Sequence, residues 1–182
     1  MRIRLRHIIF VVGVILIESH GQTVSSIHPS EYQVKAAFLY NFAKFVEWPE
    51  DVLTDSDDPI KIGIFGDDPF GKDLDETIKG KTVKNRELVI RRFNQIRALE
   101  FCHILFIGSP EKRSLLRILE RFEKLCVLTV GETEDFTRYG GMIKFMIVEN
   151  KVHFEINVEA IDQSGLKMSS KILKLAKIYQ KK

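Results

Sequence analysis

Short apolar segments alternate with helix-length segments through the middle of this 182-residue chain, and that alternation restricts the fold more than any other feature. Each segment has the length of a strand, and the third is apolar throughout, as a strand covered on both faces should be. The four segments are KIGIFG (61–66), ELVIRRF (87–93), HILFIG (103–108) and VLTVG (127–131). Between them we expect helices over 70–79 and 109–124 and a short helix or turn over 95–100. This order predicts a mostly parallel sheet.

The pattern changes in the last third of the chain. Residues 142–148 and 151–158 are separated only by Glu149 and Asn150, which predicts a tight hairpin with Asn150 at positive φ. Short helices are then expected over 159–163 and 169–179. The whole pattern predicts a single-domain α/β sandwich, with a mostly parallel sheet, an antiparallel hairpin edge and helices on both faces.

The first 21 residues have the features of an export signal. Arg2, Arg4 and Arg6 precede an apolar run over 8–17, and Ser19 and Gly21 place small residues where a signal peptidase cuts. The run is shorter than the roughly 20 residues that a membrane-spanning helix needs. We therefore expect a signal peptide over 1–21 and one domain over 22–182, with an uncleaved N-terminal anchor as the alternative. The remaining 25 basic and 24 acidic residues nearly balance, which argues against nucleic acid as a partner.

A helix is predicted from Glu31 to about Trp48, after a capping box formed by Ser30 and Gln33. Its apolar arc is wider than that of an ordinary surface helix, so it needs two neighbours. One is the sheet, and the other is a second subunit, a partner protein or the segment before the first strand. The candidate interface residues on this helix are Tyr32, Lys35, Phe38, Leu39, Phe42 and Phe45.

Lys35 lies inside that apolar arc, where an unpaired charge is costly. Either its ammonium group reaches water, or it pairs with a carboxylate such as Asp67, Asp68 or Glu155. A second candidate interface is the helix predicted over 169–179, where Ile172, Leu175 and Tyr179 share one stripe. The alternative for that stripe is docking onto the sheet.

Asp67, Asp68, Phe70 and Gly108 follow the first and third predicted strands. In open α/β sheets ligands bind at the carboxyl ends of strands, so these four residues form a candidate small-molecule pocket. The segment lacks the Lys-Ser/Thr of a phosphate-binding loop, and Gly108 stands where a receiver domain has its phosphoacceptor aspartate. The alternative role for Asp68 is to cap the following helix.

Cys102 and Cys126 each precede a predicted strand. If those strands are adjacent and parallel, their spacing of about 4.8 Å suits a disulfide. Two buried free thiols are the alternative. Neither His103 nor His153 has an evident Ser or Cys partner, and we expect no catalytic residues, no metal and no cofactor.

Seven segments resemble the YfiR family of bacterial periplasmic proteins, in the same order along the chain. They are EYQVKAAFLYNFAKFVEWP, IGIFGDDPFG, CHILFIG, VLTVGE, GGMI, VHFEIN and GLKMSSKILKLA, from Glu31 to about Ala176. The resemblance implies a periplasmic, non-enzymatic regulator in cyclic di-GMP signalling. It implies binding to the periplasmic part of a membrane signalling protein of the diguanylate cyclase type, with an outer-membrane lipoprotein as a second possible partner.

Two functional classes therefore remain open. In the first, the protein binds and inhibits or modulates the sensory part of an inner-membrane enzyme. In the second, it is a small-molecule-binding sensor that acts with a histidine kinase or a receptor. A homodimer is compatible with both.

Overall fold

The computed structural model describes residues 29–53, 55, 57–110 and 112–181. The predicted signal peptide lies outside these residues. The helices are α1 (Glu31–Phe45), α2 (Lys72–Ile78), α3 (Lys112–Phe122), α4 (Val158–Gln163) and α5 (Ser170–Leu173), with 3-10 turns at Glu50–Val52 and Ile96–Ala98. The strands are β1 (Val46–Glu47), β2 (Ile60–Phe65), β3 (Thr82–Val83), β4 (Arg86–Phe93), β5 (Ile104–Ile107), β6 (Leu128–Gly131), β7 (Ile143–Val148), β8 (Lys151–Ile156), β9 (Lys167–Met168) and β10 (Lys177–Ile178).

Eight strands form one sheet in the order β10-β8-β7-β6-β5-β2-β4-β3. The neighbours from β4 through β2, β5 and β6 to β7 are parallel, as is β10 beside β8. The β7–β8 hairpin and the β3–β4 pair are antiparallel. The predicted α/β domain with a mostly parallel sheet is therefore confirmed. β1 and β9 form a separate two-stranded sheet.

Side chains that alternate along the central strands pack on opposite faces of the sheet. The α1 face holds the larger core, where Ile62, Phe106 and Val130 are fully buried beneath α1, α2, α4 and α5. The α3 face holds the smaller core, in which Leu105 and Ile107 pack with the apolar stripe of α3. Burial on both faces explains why these strands have continuous apolar sequences.

The capping box predicted for α1 is present. The Ser30 hydroxyl accepts a hydrogen bond from the Gln33 backbone N–H, and the Gln33 side chain accepts one from the Ser30 N–H. The helix ends at Phe45 rather than near Trp48, because Val46 turns to an extended conformation and pairs with Met168 in β9. Tertiary pairing therefore ends this helix before Pro49 can.

The end of the described chain differs from the prediction of a helix over 169–179. α5 has only four residues, and the chain then becomes β10, which adds outside β8. The hairpin is therefore not the sheet's edge; the short strand β10 is. The helical spacing of Ile172, Leu175 and Tyr179 was misleading because the edge of β8 offers backbone hydrogen bonds that override a weak local preference.

Candidate functional site

The outer half of the β7–β8 hairpin projects beyond the rest of the sheet. β6 pairs only with the first two residues of β7, and β10 pairs only with the last two of β8. Among the described strands, residues 145–148 and 151–154 therefore have only each other as partners. We call residues 145–154 the outer ribbon. Its long edges present backbone N–H and C=O groups with which another strand can pair.

The tip of the outer ribbon exposes apolar side chains. Glu149 and Asn150 form the turn with φ of 49° and 60°, the left-handed geometry of a two-residue hairpin. Ile147 is 47% exposed and Val148, on the opposite face, is 44% exposed. Ile147 lies opposite Val152 and extends the apolar row of the α1 face into solvent. Exposed apolar side chains on both faces of a ribbon are typical of an interaction surface.

A buried carboxylate holds the base of the outer ribbon. Glu155 accepts a hydrogen bond of 2.7 Å from the Thr137 hydroxyl, and it pairs with Lys144 at 3.3 Å and Lys177 at 3.0 Å. Burial alone would raise the pKa of Glu155, but the hydrogen bonds from Thr137 and Lys177 and the charge of Lys144 outweigh burial and lower it. One side chain thus joins β7, β8, β10 and the segment before β7.

Lys35 forms a buried ion pair, which was one of the two alternatives for it. Its partners are Glu31 and Glu132, not the suggested Asp67, Asp68 or Glu155. Burial would lower the pKa of Lys35, but hydrogen bonds to Glu132 and Glu31 raise it instead. The Tyr32 hydroxyl also donates to Glu132, at 3.3 Å. Burial and the Glu132 carboxylate raise the pKa of Tyr32. The cluster ties the first turns of α1 to the end of β6.

The candidate interface on α1 is largely covered by the protein itself. Lys35, Leu39 and Phe42 are buried, because α1 packs against the sheet, α2 and α5. Tyr32, Phe38 and Phe45 are half-buried. The wide apolar arc of α1 is therefore explained by packing within the domain.

The candidate residues near the end of the chain do not share one surface stripe. Ile172 is buried in the main core, Leu175 is 64% exposed, and Tyr179 is half-buried just after β10. Tyr179 donates its backbone N–H to the Ile156 carbonyl at 2.8 Å. Of the nine candidate interface residues, Leu175 is the most accessible to a partner.

The predicted pocket at the ends of β2 and β5 is only partly assembled. Asp67 and Gly108 line a shallow cavity of about 310 Å³ at this switch point of the sheet. Asp68 faces elsewhere: it accepts a hydrogen bond from the Phe70 N–H and pairs with Arg92 at 2.6 Å. Phe70 is buried in the core. Asp68 stabilises the turn before α2, although the N-cap residue of that helix is Gly71.

A larger cavity of about 390 Å³ is lined by residues of both α3 and α4. Its buried polar lining includes Thr129, Thr137 and Asn157, with Tyr139 and Tyr179 as aromatic walls. The lining groups are engaged in hydrogen bonds, such as the one from the Asn157 amide to the Thr137 carbonyl at 3.1 Å. Sequence analysis did not identify this cavity, because its residues are spread over 66 positions of the chain.

Both cysteines are free, so the candidate disulfide is absent; Cys102 is buried as in the second alternative, but Cys126 is only half-buried. β5 and β6 are adjacent and parallel as expected, but Cys102 packs in the core of the α3 face and Cys126 packs against the core of the α1 face. The sheet separates the two thiols. Burial raises the pKa of Cys102 to about 12, which keeps it a neutral thiol.

His103 is buried beside β2 and is held as a neutral ring. Its Nδ1 atom accepts a hydrogen bond from the Lys61 backbone N–H at 2.9 Å. Burial, and then the charges of Lys61 and Arg86, lower the pKa of His103 to about 4. His153 is exposed on the outer ribbon. His103 is therefore a buried neutral ring, whereas His153 is exposed to solvent.

Phe136 is a structural residue that sequence analysis missed. Its ring is fully buried, and Cβ atoms built on Gly131 and Gly141 would both collide with it. The two glycines thus leave room for one ring between β6 and the start of β7. The sequence signal for this contact lies in the motifs VLTVGE and GGMI, which contain Gly131 and Gly141. Neither glycine has the positive φ of a turn, so each is there to leave space for the ring.

Among the described residues, no group of three or more His, Cys, Asp or Glu side chains is arranged to hold a metal ion. No helix in the same part of the chain has the length and apolar character needed to cross a membrane.

The sequence also matches the model of a known protein family. Residues 32–177 match the model of the YfiR/HmsC-like family. The match runs from the second residue of α1 to the first residue of β10, and it includes the outer ribbon. The family consists of periplasmic regulators of cyclic di-GMP signalling. This chain belongs to the YfiR/HmsC-like family.

Proposed function

We propose that this protein binds the periplasmic sensory part of an inner-membrane signalling enzyme of the diguanylate cyclase type, and inhibits or modulates it, without catalysing a reaction. The observation that carries the proposal is the outer ribbon, which combines free backbone edges with the exposed Ile147 and Val148. Family membership supports the compartment and the pathway.

The outer ribbon suits binding by strand addition. A partner strand laid along residues 151–154 gains backbone hydrogen bonds, and its alternate side chains meet the apolar tip. Because Glu155 and its partners hold the base of the ribbon, little conformational entropy is lost on binding.

Regulation then follows from differential affinity. If the ribbon binds one conformation of the sensory domain more tightly than the other, it shifts the population toward that conformation. A competing protein, such as an outer-membrane lipoprotein, relieves the effect by occupying the same ribbon. A second copy of this chain paired along β8 is the competing self-associated state.

The test is complementation of a deletion strain, with cellular cyclic di-GMP as the measurement. We expect the deletion to change the cyclic di-GMP level, wild type to restore it, and Ile147→Asp to fail, because a buried charge at the contact costs several kcal/mol. Leu125→Asp is the matched control, since Leu125 after α3 is 42% exposed and lines neither cavity.

Periplasmic levels and urea melting curves of both variants establish that they are folded. Restoration by Ile147→Asp equal to that by Leu125→Asp would remove the ribbon from the interface. An unchanged cyclic di-GMP level in the deletion strain would remove the regulatory role.

A small-molecule sensor is the second candidate, favoured by the cavity that residues of α3 and α4 line. A ligand bound there raises the melting temperature of the isolated protein. The probe is the fraction of periplasmic extract with a molecular mass below about 1 kDa. If the protein acts by strand addition alone, this fraction should leave the melting temperature unchanged.

A further inference from the structure

The last part of the chain carries a charge opposite to that of the rest of the domain. Residues 167–182 contain six lysines and no acidic residue, whereas residues 22–166 contain 19 basic and 24 acidic residues. All six basic residues here are Lys, although eight of the 19 in the preceding part are Arg. Such asymmetry indicates a surface that meets an anionic partner.

The lysines of this segment that the structure describes lie on the outside of the fold. After β9 the chain passes α1 as α5 and then reaches the sheet edge as β10. Lys171, Lys174 and Lys181 are exposed, and Lys177 is 67% exposed while it pairs with Glu155. Lys44 of α1 adds to the same region, because its ammonium group and that of Lys171 lie 5.6 and 5.9 Å from the centre of the Phe45 ring.

Two large apolar side chains stand among these charges. Leu175 is 64% exposed, the highest value among the exposed large hydrophobic residues of the described chain, and Ile178 is 43% exposed. We call Lys171, Lys174, Leu175, Lys177, Ile178 and Lys181 the tail surface. Lysines around exposed aliphatic side chains are the composition of a segment that lies on a lipid surface, with apolar groups in the headgroup region and ammonium groups on anionic headgroups.

We propose that the tail surface binds the surface of an anionic phospholipid membrane. An acidic protein is the weaker alternative, because protein interfaces are depleted in Lys and enriched in Arg and aromatic residues, and the tail surface has neither Arg nor an aromatic side chain. The contact is peripheral and weak, and it holds the domain beside the membrane in which the proposed partner resides.

The test is vesicle flotation with protein purified from the periplasmic extract of cells that express the full chain, with no partner present. Vesicles of phosphatidylethanolamine and phosphatidylglycerol at about 3:1 are compared with vesicles of phosphatidylcholine alone. We expect binding to the anionic vesicles only, with most of it lost when salt rises from about 0.05 M to about 0.5 M.

The diagnostic variant is Lys171→Glu/Lys174→Glu/Lys181→Glu. We expect it to bind anionic vesicles at least about tenfold more weakly, since each lysine near an anionic surface contributes appreciably to the binding affinity. The variant Lys72→Glu/Lys79→Glu/Lys124→Glu has the same change in net charge at exposed positions elsewhere, and we expect it to bind like wild type. Leu175→Ser separates the apolar contribution, with a loss of a fewfold.

Equal weakening by both triple variants would show a net-charge effect and overturn the inference. Absence of vesicle binding by the wild type would also overturn it, and retention on a column of an acidic protein under the same conditions would assign the surface to that class instead. Because no partner is present, none of these results depends on the proposed regulatory function.

Discussion

The central strands and the outer ribbon use the same kinds of residue for opposite purposes. β5 and β6 carry Ile, Leu, Phe and Val that are buried on both faces, whereas Ile147 and Val148 of β7 are nearly half exposed. The difference is coverage: α1 and α3 lie over the centre of the sheet, and no described helix lies over the ribbon tip. Apolar character alone therefore does not distinguish a core residue from an interface residue. Whether a neighbouring element covers the side chain makes that distinction.

The largest expected effect is on stability at the centre. Phe106→Ala should lower the free energy of unfolding by about 3–5 kcal/mol, because it leaves a cavity where Phe106 stacks edge-on against Phe70 at 4.8 Å. Ile147→Ala should lower it by about 0.5 kcal/mol. Urea unfolding of both variants measures the difference, and similar losses at the two sites would break the comparison.

The second prediction concerns how the free energy of unfolding depends on pH. The folded pKa of His103, about 4, lies below its ordinary value of 6.5, so the unfolded chain binds the proton more tightly between these values. The contribution of His103 to the free energy of unfolding is therefore complete above pH 6.5, falls as the pH drops toward 4, and changes no further below pH 4. The loss should be about 3 kcal/mol.

The measurement is urea unfolding from pH 7 to pH 4 for wild type, His103→Asn and His153→Asn. The Asn oxygen can replace Nδ1 as the acceptor for the Lys61 N–H, so His103→Asn should reduce the pH dependence, and the exposed His153 is the control. A pH dependence that His103→Asn leaves unchanged would contradict the prediction.

A smaller effect than that of pH is expected at the base of the ribbon. Glu155→Gln removes the negative charge beside Lys144 and Lys177, but Lys144 keeps its hydrogen bond to the Glu134 carbonyl and Lys177 is 67% exposed, so we expect a loss of about 1–2 kcal/mol. Amide hydrogen exchange should accelerate in β8 and β10 and not in β5. Acceleration that is uniform across the sheet would show that the base has no local role.

Much of the fold could be predicted because it depends on local pattern. The apolar runs of β2, β5 and β6, the capping box of Ser30 and the turn at Glu149 are each written within a few adjacent residues. What failed depended on partners far along the chain. Lys35 meets Glu132 across 97 positions, and β10 forms only because the edge of β8 is available.

The candidate site was predicted less well for the same reason. A wide apolar arc looks alike whether a partner or α2 and α5 cover it, so residues such as Phe42 were candidates for an interface and are core. The residues of the ribbon tip were recognised only as strand residues. Their exposure depends on where β6 and β10 stop, which no residue in the hairpin encodes.

The position of β10 has a consequence for the life of the molecule. The strand that covers the last two residues of β8 is synthesised about twenty residues after it, and only these two residues of pairing hold it. Proteolytic cleavage between β8 and β10, or slow docking of the late strand during folding, would extend the open edge from residues 151–154 to the whole length of β8, where like strands from other molecules can add. A regulator built in this way relies on its own tail to limit aggregation while it waits for a partner.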